Sequence, residues 1–401
     1  MPYDVIIVGA RCAGASLAML LARRGAKVLL LDRATFPSDI PHGHFIHRHG
    51  PRRLRDWGLL DRIAARTPAI SRVVHDVGDF PMQVQDLVED GMAWGYGPRR
   101  TTLDRVLIDA AVESGAELRQ GFSVTDYLME DGKVVGIRGR EAGAAEIEER
   151  AAMTVGADGR RSRLARTVQA AAYNEVPTIL CYYFSYWGDV STADFELYMR
   201  HAARRVIFSF KTEDDLFAVF VGAAIEDLSA FQRDTEGAFM RSLDLVPEFA
   251  ARIRSGRRAE RFSGATDLPN FYRKPFGPGW ALAGDAGLHK DPLLALGICD
   301  ALRDAELLAT ALADGLSGVR PMEDAMADYE RQRNEASATE YQDNIAAARF
   351  PPPMQQTLDL RAAVRDQPAD ATRLLKALMG MTERTAFFNP ANLQRVMSAR
   401  R

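Results

Sequence analysis

The stretch YDVIIVGARCAGASLAMLLARRGAKVLLLD, residues 3–32, decides the fold of this chain. Tyr3 to Val8 is an apolar run with the β-branched content of a buried parallel strand. A tight glycine turn and a segment with helical spacing follow, and Lys27 to Leu31 is a second buried strand that ends on Asp32. Strand, turn, helix, strand and terminal acid together predict a dinucleotide-binding unit, in which Asp32 accepts hydrogen bonds from the ribose hydroxyls.

The turn departs from the usual G-x-G-x-x-G pattern at one position. Gly9 and Gly14 are present, but Arg11 occupies the place of the middle glycine, which normally lets the backbone approach a pyrophosphate. We therefore expect the Arg11 side chain to point outward and to add a cation near the phosphates. The helix that starts near Cys12 supplies its positive end to the same phosphates.

Composition limits the classes of function. The chain has 401 residues, a net charge of −3 and three scattered cysteines. This charge gives no bulk attraction to nucleic acid or to an anionic membrane, and the cysteines indicate neither disulfides nor a zinc site. No apolar stretch approaches the roughly 20 residues that span a bilayer, and no signal peptide is evident. We expect a cytoplasmic protein without nucleic-acid partners.

A loop rich in histidine follows the second strand. Between Phe36 and His49 it contains His42, His44 and His47 among prolines and glycines. The spacing is not that of metal-binding histidines on a helix, and no cysteine or glutamate lies nearby. The sequence therefore favours a loop beside a cofactor or a substrate over a metal site.

The rest of the chain alternates between helices and strands before it becomes helical. Residues 102–114 and 296–312 have helical spacing, whereas residues 176–225 are extended, alternating segments crowded with aromatic rings. Such segments predict an antiparallel sheet in a second layer. After Phe350 the sequence reads as an alanine- and leucine-rich helical tail. The fold class is therefore α/β with inserted antiparallel strands.

Four segments together resemble one known family. They are the opening turn with Asp32-Arg33, then Arg100-Thr101-Thr102-Leu103-Asp104, then Gly156-Ala157-Asp158-Gly159, and finally Gly284-Asp285 with Asp291-Pro292 and Gly297-Ile298. In this order they resemble the FAD-dependent monooxygenases related to para-hydroxybenzoate hydroxylase, within the glutathione-reductase-type flavoproteins. The resemblance extends over about residues 1 to 335.

The resemblance implies a Rossmann-type FAD domain with an inserted β-sheet substrate domain and a helical C-terminus. The expected divisions are 1–75, 98–168 and 266–340 for FAD, 76–97 and 169–265 for substrate, and 341–401 for the helical segment. The implied FAD-binding residues are Gly9, Cys12, Ala13, Gly14, Asp32, Arg33, Arg100, Val124, Asp158, Asp285, Pro292, Gly297 and Ile298. Taken alone, Asp158 also fits an ordinary Asp-Gly turn, and Asp285 fits a helix N-cap.

The reaction implied by the resemblance is hydroxylation of an aromatic or polyketide-like small molecule by dioxygen, through a flavin C4a-hydroperoxide. The sequence contains only one dinucleotide-binding unit, so NAD(P)H has no domain of its own. NAD(P)H would then bind transiently as the electron donor, although a separate flavin reductase fits equally well. Either a monomer or a homodimer fits the sequence.

Catalytic residues are harder to choose from sequence. Tyr183, Tyr186 and Tyr198 could each hydrogen-bond to a phenolic substrate, and His289 directly follows the second glycine-aspartate motif. For each tyrosine, a core position is the simpler interpretation. Three other functions stay open, namely a reductase of isoprenoid double bonds, a flavin-dependent halogenase, whose W-x-W-x-I-P motif is absent, and a flavoprotein without turnover.

Overall fold

The computed structural model of the protein describes residues 2–39 and 43–398. The strands, in chain order, are β1 (Tyr3–Val8), β2 (Val28–Asp32), β3 (Ile46–His47), β4 (Ala69–Ile70), β5 (Val73–Asp76), β6 (Met82–Val84), β7 (Val88–Glu89), β8 (Met92–Ala93), β9 (Gly95–Tyr96), β10 (Glu117–Gln120), β11 (Phe122–Glu130), β12 (Lys133–Glu141), β13 (Ile147–Gly156), β14 (Ala172–Val176), β15 (Leu180–Gly188), β16 (Phe195–Arg200), β17 (Arg205–Lys211), β18 (Phe217–Ala224), β19 (Arg257–Arg258), β20 (Ser263–Ala265), β21 (Asn270–Arg273), β22 (Phe276–Gly277), β23 (Trp280–Leu282) and β24 (Leu288–His289).

The helices follow the same numbering along the chain. They are α1 (Cys12–Ala22), α2 (His49–Asp56), α3 (Leu60–Ala64), α4 (Arg100–Glu113), α5 (Arg163–Thr167), α6 (Leu228–Arg233), α7 (Thr235–Leu243), α8 (Pro247–Ser255), α9 (Gly297–Leu316), α10 (Met322–Ala348), α11 (Gln355–Val364), α12 (Pro368–Leu378), α13 (Arg384–Phe387) and α14 (Pro390–Ser398). Short 3-10 helices occupy Ile225–Asp227, Gly284–Ala286 and Pro292–Leu294. Within the described residues, no helix is long and apolar enough to cross a membrane.

The first sheet brings the predicted binding motifs to one edge. Its strands run in the order β10-β2-β1-β13-β12-β11, and β23 pairs with β13. Strands β10, β2, β1, β13 and β23 are mutually parallel along these pairings. Because parallel strands end at the same edge, the glycine turn, Asp32, Asp158 and Asp285 all lie at the carboxyl edge of this sheet. Helices α1, α4 and α9 pack on it through one apolar core.

A second large sheet follows the order β19-β15-β18-β17-β16-β5-β6, with β20 also paired to β15. It is antiparallel apart from the parallel pair of β16 with β5. The aromatic segments predicted over 176–225 therefore form its centre. One face packs on helices α6 to α8, and the other joins the helices α11 to α14 in a single apolar core.

The fold class predicted from the sequence is confirmed, since the chain combines a mostly parallel sheet, a second antiparallel sheet and a helical C-terminus. The C-terminal segment is anchored by a completely buried arginine, Arg361, on α11. Its guanidinium donates to both carboxylate oxygens of Asp79, at 2.7 and 2.9 Å, and to the carbonyl oxygen of Phe80 at 2.8 Å. These bonds tie the tail to the loop between β5 and β6.

Candidate active site

In the opening turn, two glycines allow backbone segments to pack closely on each other. Gly9 has φ of +108°, and a Cβ there would lie 2.4 Å from the carbonyl oxygen of Ala157. A Cβ on Gly14 would lie only 1.8 Å from the carbonyl oxygen of Gly9. Helix α1 begins at Cys12, and no described side chain caps its first turn. The uncapped N–H groups and the helix dipole leave a site that suits a pyrophosphate.

Asp32 closes this turn at the end of β2. One of its carboxylate oxygens accepts a hydrogen bond from the Ala10 N–H and the other from the Ala34 N–H, both at 2.8 Å. Each carboxylate oxygen keeps further acceptor capacity, and the side chain is only half-buried. This arrangement fits an acceptor for ribose hydroxyls. Arg33, the next residue, is exposed.

Arg11 does not point away from the protein as expected. Its guanidinium binds Asp104, a fully buried carboxylate on α4, at 2.5 Å. Arg100 binds the same carboxylate at 2.8 Å, and the Cys12 thiol lies against it. The two guanidiniums therefore share one carboxylate beside the turn. Sequence reasoning quoted Asp104 in the second segment but gave it no role, although its i,i+4 spacing from Arg100 could have identified the pair.

Asp285, from the last predicted motif, acts electrostatically on Arg100 in this cluster. Burial lowers the pKa of the Arg100 guanidinium, but the nearby charges of Asp104 and Asp285 contribute to raising it on balance. The preceding Gly284 has φ of +59° and packs against Ala13 at the start of α1. The structure therefore brings the first and last predicted motifs together.

The middle motif lies at the end of β13. One oxygen of Asp158 accepts a hydrogen bond from the Arg163 N–H at 2.8 Å, and the other is buried without a partner among the described residues. Burial raises the pKa of this carboxyl. The Arg163 guanidinium reaches the carbonyl oxygen of Val124 at 3.5 Å, which links two of the predicted FAD residues.

The turn after Asp285 leads into helix α9. Pro292 is half-buried at the start of a 3-10 helix, and Ala295 has φ of +51°. Helix α9 then begins at Gly297, which is exposed, and Ile298 is buried. No described side chain caps this helix, so its positive end is open to a flavin pyrimidine.

Strand register separates the candidate tyrosines onto two faces of the second sheet. Tyr183 stacks on Phe231 at 4.8 Å, on the face covered by α6 to α8. Tyr198 lies in the same core and donates to Glu196 at 2.5 Å. Tyr186 belongs to the other face, which also packs against Leu293 from the turn after Asp285. The placement of Tyr183 and Tyr198 argues against catalytic roles for both residues.

A hydrogen-bonded cluster surrounds Tyr186 on that face, which we call the inner face because Leu293 belongs to it. The Tyr186 hydroxyl lies 2.8 Å from Nε2 of His44, and the Arg99 guanidinium lies 4.0 Å from the centre of the tyrosine ring. Burial lowers the pKa of His44 to about 3, so the imidazole is neutral at physiological pH. Sequence reasoning placed His44 in a loop beside cofactor or substrate but did not pair it with Tyr186. His42 of the same loop lies outside the described residues.

His289 is held by its own surroundings. The ring is buried, its Nδ1 is hydrogen-bonded to the carbonyl oxygen of Pro269, and it stacks on Phe271. These contacts fix β24 against β21 and the loop that precedes it. His289 therefore lies near Gly284-Asp285, as expected, but its ring is engaged in contacts that position β24.

Comparison with known proteins agrees with this geometry. The family described as "FAD binding domain" matches residues 2–343. The digeranylgeranylglycerophospholipid reductase 1 of Methanopyrus kandleri is 25% identical over 377 residues, covering 91% of this chain and 93% of that protein. The aklavinone 12-hydroxylase of Streptomyces peucetius subsp. caesius is 31% identical over 179 residues, covering 40% and 36%. The structure of a myxobacterial chondrochloren halogenase superposes with a TM-score of 0.78 at 19% identity, covering 99% and 96%.

Proposed function

Since the chain belongs to the FAD binding domain family and is an FAD-dependent oxidoreductase, we propose that it is a monooxygenase of the para-hydroxybenzoate hydroxylase-like group. Its substrate is an aromatic or polyketide-like small molecule. The observation that carries this proposal is the inner face, where Tyr182, Phe184, Tyr186 and Phe45 share one apolar core with Leu293. Aromatic rings next to a flavin-side turn favour a flat, apolar substrate.

The FAD site follows from the carboxyl edge of the first sheet. Asp32 would hold the adenosine ribose, the Gly9–Gly14 turn and α1 the pyrophosphate, and Asp285 a ribityl hydroxyl. The remaining proposed FAD contacts are Cys12, Ala13, Arg33, Arg100, Val124, Asp158, Pro292, Gly297 and Ile298. Bound FAD, once reduced, supplies the activation of dioxygen and the transfer of an oxygen atom.

The protein's own part is to bind the substrate, exclude water and control protons. The inner face excludes water because its rings are buried and stacked on one another, as Phe45 is on Phe195 at 5.0 Å. Neutral His44 can accept a hydrogen bond from the Tyr186 hydroxyl, which leaves the Tyr186 oxygen free to accept a hydrogen bond from a substrate hydroxyl. We propose Tyr186 for this role in place of Tyr183, and His289 as a positioning residue.

We further propose the domain division 1–75, 98–168 and 266–340 for FAD, with 76–97 and 169–265 for substrate and 341–401 as the helical segment. NAD(P)H is proposed as a transient electron donor, with a separate flavin reductase as the alternative. The protein is proposed to act in the cytoplasm as a monomer or homodimer.

Oxygen and nicotinamide consumption test the proposal directly. The FAD-loaded protein would be mixed with NADH or NADPH, with and without each member of a panel of phenols and polyketide aromatics. We expect one class of compound to raise both rates and to gain one oxygen atom, measured by mass spectrometry with labelled dioxygen. In a parallel series the protein is reduced chemically, without NAD(P)H. This series distinguishes a protein that cannot accept electrons from NAD(P)H from one that cannot hydroxylate the compound.

The similarity to the digeranylgeranylglycerophospholipid reductase favours a second candidate, reduction of isoprenoid double bonds. This reaction adds hydrogen to the substrate and needs no oxygen. Anaerobic incubation of the reduced protein with a geranylgeranyl lipid distinguishes the two functions. Saturation of the lipid without oxygen, together with no labelled product from any aromatic compound, would replace the monooxygenase proposal.

A further inference from the structure

The first turn of helix α9 contains a buried acid, Asp300. Only 9% of its side chain is exposed, and no described side chain caps the helix. An acid in the first turn usually stabilises a helix, because its charge lies near the partial positive charge of the N-terminus. The same charge repels a negative group that binds at this end. Asp300 therefore opposes the helix dipole at the place that we propose for the flavin pyrimidine.

Two cations hold the carboxylate of Asp300. The Lys290 ammonium lies 2.7 Å from its Oδ2, and the Arg303 guanidinium, also on α9, donates to its Oδ1 at 2.6 Å. Burial by itself raises the pKa of this carboxyl, but the charges of Lys290 and Arg303 lower it, and on balance the pKa lies below its usual value. Asp300 is therefore ionised, and its charge is offset at both oxygens.

Lys290 reaches this carboxylate from a different element. It lies in the loop that joins β24 to the 3-10 helix Pro292–Leu294, and its side chain is 5% exposed. A lysine is almost never buried this deeply without a partner, because its ammonium group gives up its hydration. The ion pair with Asp300 offsets that cost. It also brings a positive charge to the first turn of α9.

Arg303 cannot balance Asp300 by itself, because it has a second acidic partner. Its Nε and Nη2 donate to Oδ1 of Asp304 at 3.0 and 2.7 Å. The Asp304 side chain is 1% exposed, and burial raises the pKa of its carboxyl, although the charge of Arg303 opposes this. Since Arg303 is shared between two carboxyl groups, Lys290 is the cation that is devoted to Asp300.

The next charges around Lys290 form a pair of their own. Glu340 on α10 lies 3.9 Å from the Lys290 ammonium, and its other carboxylate oxygen binds the Arg48 guanidinium at 2.7 Å. Arg48 is thus engaged with Glu340. Removing the Lys290 ammonium therefore changes the charge at the first turn of α9 by one unit, and Arg48 does not take its place.

We propose that Lys290 is a positioning residue that sets the reduction potential of bound FAD through the first turn of α9. Its charge offsets that of Asp300, so that the N-terminus of the helix stays positive. On reduction by NAD(P)H, FAD gains two electrons and one proton and becomes an anion, which a positive helix end stabilises relative to the oxidised cofactor. This inference rests on the proposed FAD site, and it holds for a monooxygenase and for a double-bond reductase alike.

Potentiometry of the FAD-loaded protein tests this without any substrate. It is carried out at about pH 8, well above the usual range of a carboxyl pKa, and Asp300 keeps Arg303 as a partner in every variant that retains it. In Lys290→Met, reduced FAD should bind about tenfold less tightly relative to oxidised FAD, which lowers the midpoint potential by about 30 mV. Asp300→Asn should raise the potential by a similar amount, because the Lys290 charge is then unopposed. The double variant should return close to wild type.

The opposite signs distinguish an electrostatic role from a structural one. Loss of either partner of a buried ion pair destabilises a protein, so urea unfolding should show a loss in both single variants. The potential should nevertheless move in opposite directions. Lys290→Arg keeps the charge and should stay near wild type. The control is Lys274→Met, which removes an ammonium 2.6 Å from Glu330 in a more exposed ion pair and should leave the potential unchanged.

Three results would decide against the proposal. One is a potential that shifts in the same direction in Lys290→Met and Asp300→Asn, and another is a potential in Lys290→Met equal to that in Lys274→Met. If Lys290→Met does not fold, Asp300→Asn carries the test, and a potential that fails to rise in this variant overturns the proposal. Wild-type protein that binds no FAD at all counts against the proposed FAD site instead.

Discussion

Gly284 lies directly against Ala13, so closely that a Cβ on Gly284 would stand 2.9 Å from the Ala13 Cβ. This contact joins the first turn of α1 to the 3-10 helix that contains Asp285. The two motifs are distant in sequence, and their side chains would hold opposite parts of one FAD molecule. The glycine is needed here both for its φ of +59° and for the space it leaves.

Replacing this glycine should separate the two halves of the FAD site. In Gly284→Ala the new methyl group must push α1 and the 3-10 helix apart, and we expect FAD affinity to fall at least about tenfold, a loss of about 1.4 kcal/mol. Fluorescence of released FAD measures this. The matched control is Gly58→Ala, where φ is +77° but nothing lies within 4 Å. That variant should lose only about 1 kcal/mol of stability to backbone strain. Equal FAD affinity in both variants would contradict the argument.

Asp32 should contribute directly to FAD affinity. In Asp32→Ala the ribose hydroxyls lose a charged acceptor, which contributes about 1.5–3 kcal/mol, so affinity should fall by roughly one to two orders of magnitude. The Ala10 and Ala34 N–H groups also lose their acceptor, but the fold should survive, because the residue is half-buried at a strand end. Asp109→Ala, which removes a helix-surface partner of Arg105, is the control and should change affinity little. An unchanged dissociation constant for Asp32→Ala would remove this residue from the site.

The sequence predicted the first sheet well because its signals are local. The β1 strand, the glycine turn and Asp32 carry their own strand, turn and acid patterns, and helices α4 and α9 have clear periodicity. Helix α1 begins at Cys12, as expected, but helix α4, whose spacing was recognised over residues 102–114, begins at Arg100. Helix ends are set by hydrogen bonds and packing that a single sequence expresses weakly.

The candidate site was harder to predict from the sequence because its contacts are non-local. The choice between Tyr183 and Tyr186 depends on strand register, since neighbouring residues on a strand point to opposite faces. His44 contacts Tyr186 across 142 positions of sequence, and Tyr182 contacts Asp291 across 109. No spacing rule relates residues so far apart. Only the pairing of the strands brings them together.

Buried histidines should make the protein sensitive to acid. Burial lowers the pKa of His44 and His47 to about 3 and of His75 to about 4, below their unfolded value of about 6.5. The unfolded chain therefore binds more protons, and stability falls as the pH drops below 6.5. Asp291 has the opposite effect on stability. Its pKa is raised to about 6 in the folded protein, so folding takes up a proton as the pH falls below 6. Between about pH 6.5 and about pH 5, these four groups should together lower the free energy of unfolding by about 4 kcal/mol.

Urea unfolding at the two pH values checks this. In His47→Gln an amide can still donate to the Leu294 carbonyl oxygen, which His47 contacts at 2.9 Å. The drop in the free energy of unfolding between the two pH values, the acid loss, should then be smaller by about 1.5 kcal/mol, since one titrating group is gone. Asp291→Asn should have the opposite effect and enlarge the loss. Tyr341→Phe, which removes the hydrogen bond from the Tyr341 hydroxyl to the Asn174 carbonyl oxygen, should lower stability equally at both pH values. An acid loss that is the same in wild type and His47→Gln would exclude the histidine as its source.

The last prediction concerns the buried guanidinium that anchors the C-terminal helices. In Arg361→Met, the Asp79 carboxylate loses both guanidinium bonds and keeps only the Phe80 N–H, and the Phe80 carbonyl oxygen loses its partner. Because Arg361 is fully buried while Asp79 still reaches solvent, we expect a loss of about 3 kcal/mol, the lower end of the range for buried pairs, measured by urea unfolding. Arg361→Lys should recover only part of this, because an ammonium cannot bind both carboxylate oxygens in the planar geometry of a guanidinium. Arg395→Met is the control. Arg395 also binds an aspartate, Asp370, but the Arg395 side chain is 50% exposed and Asp370 keeps Arg373 as a partner at 3.1 Å, so the loss should stay within about 1 kcal/mol. Similar losses for Arg361→Met and Arg395→Met would show that burial of Arg361 does not anchor the tail.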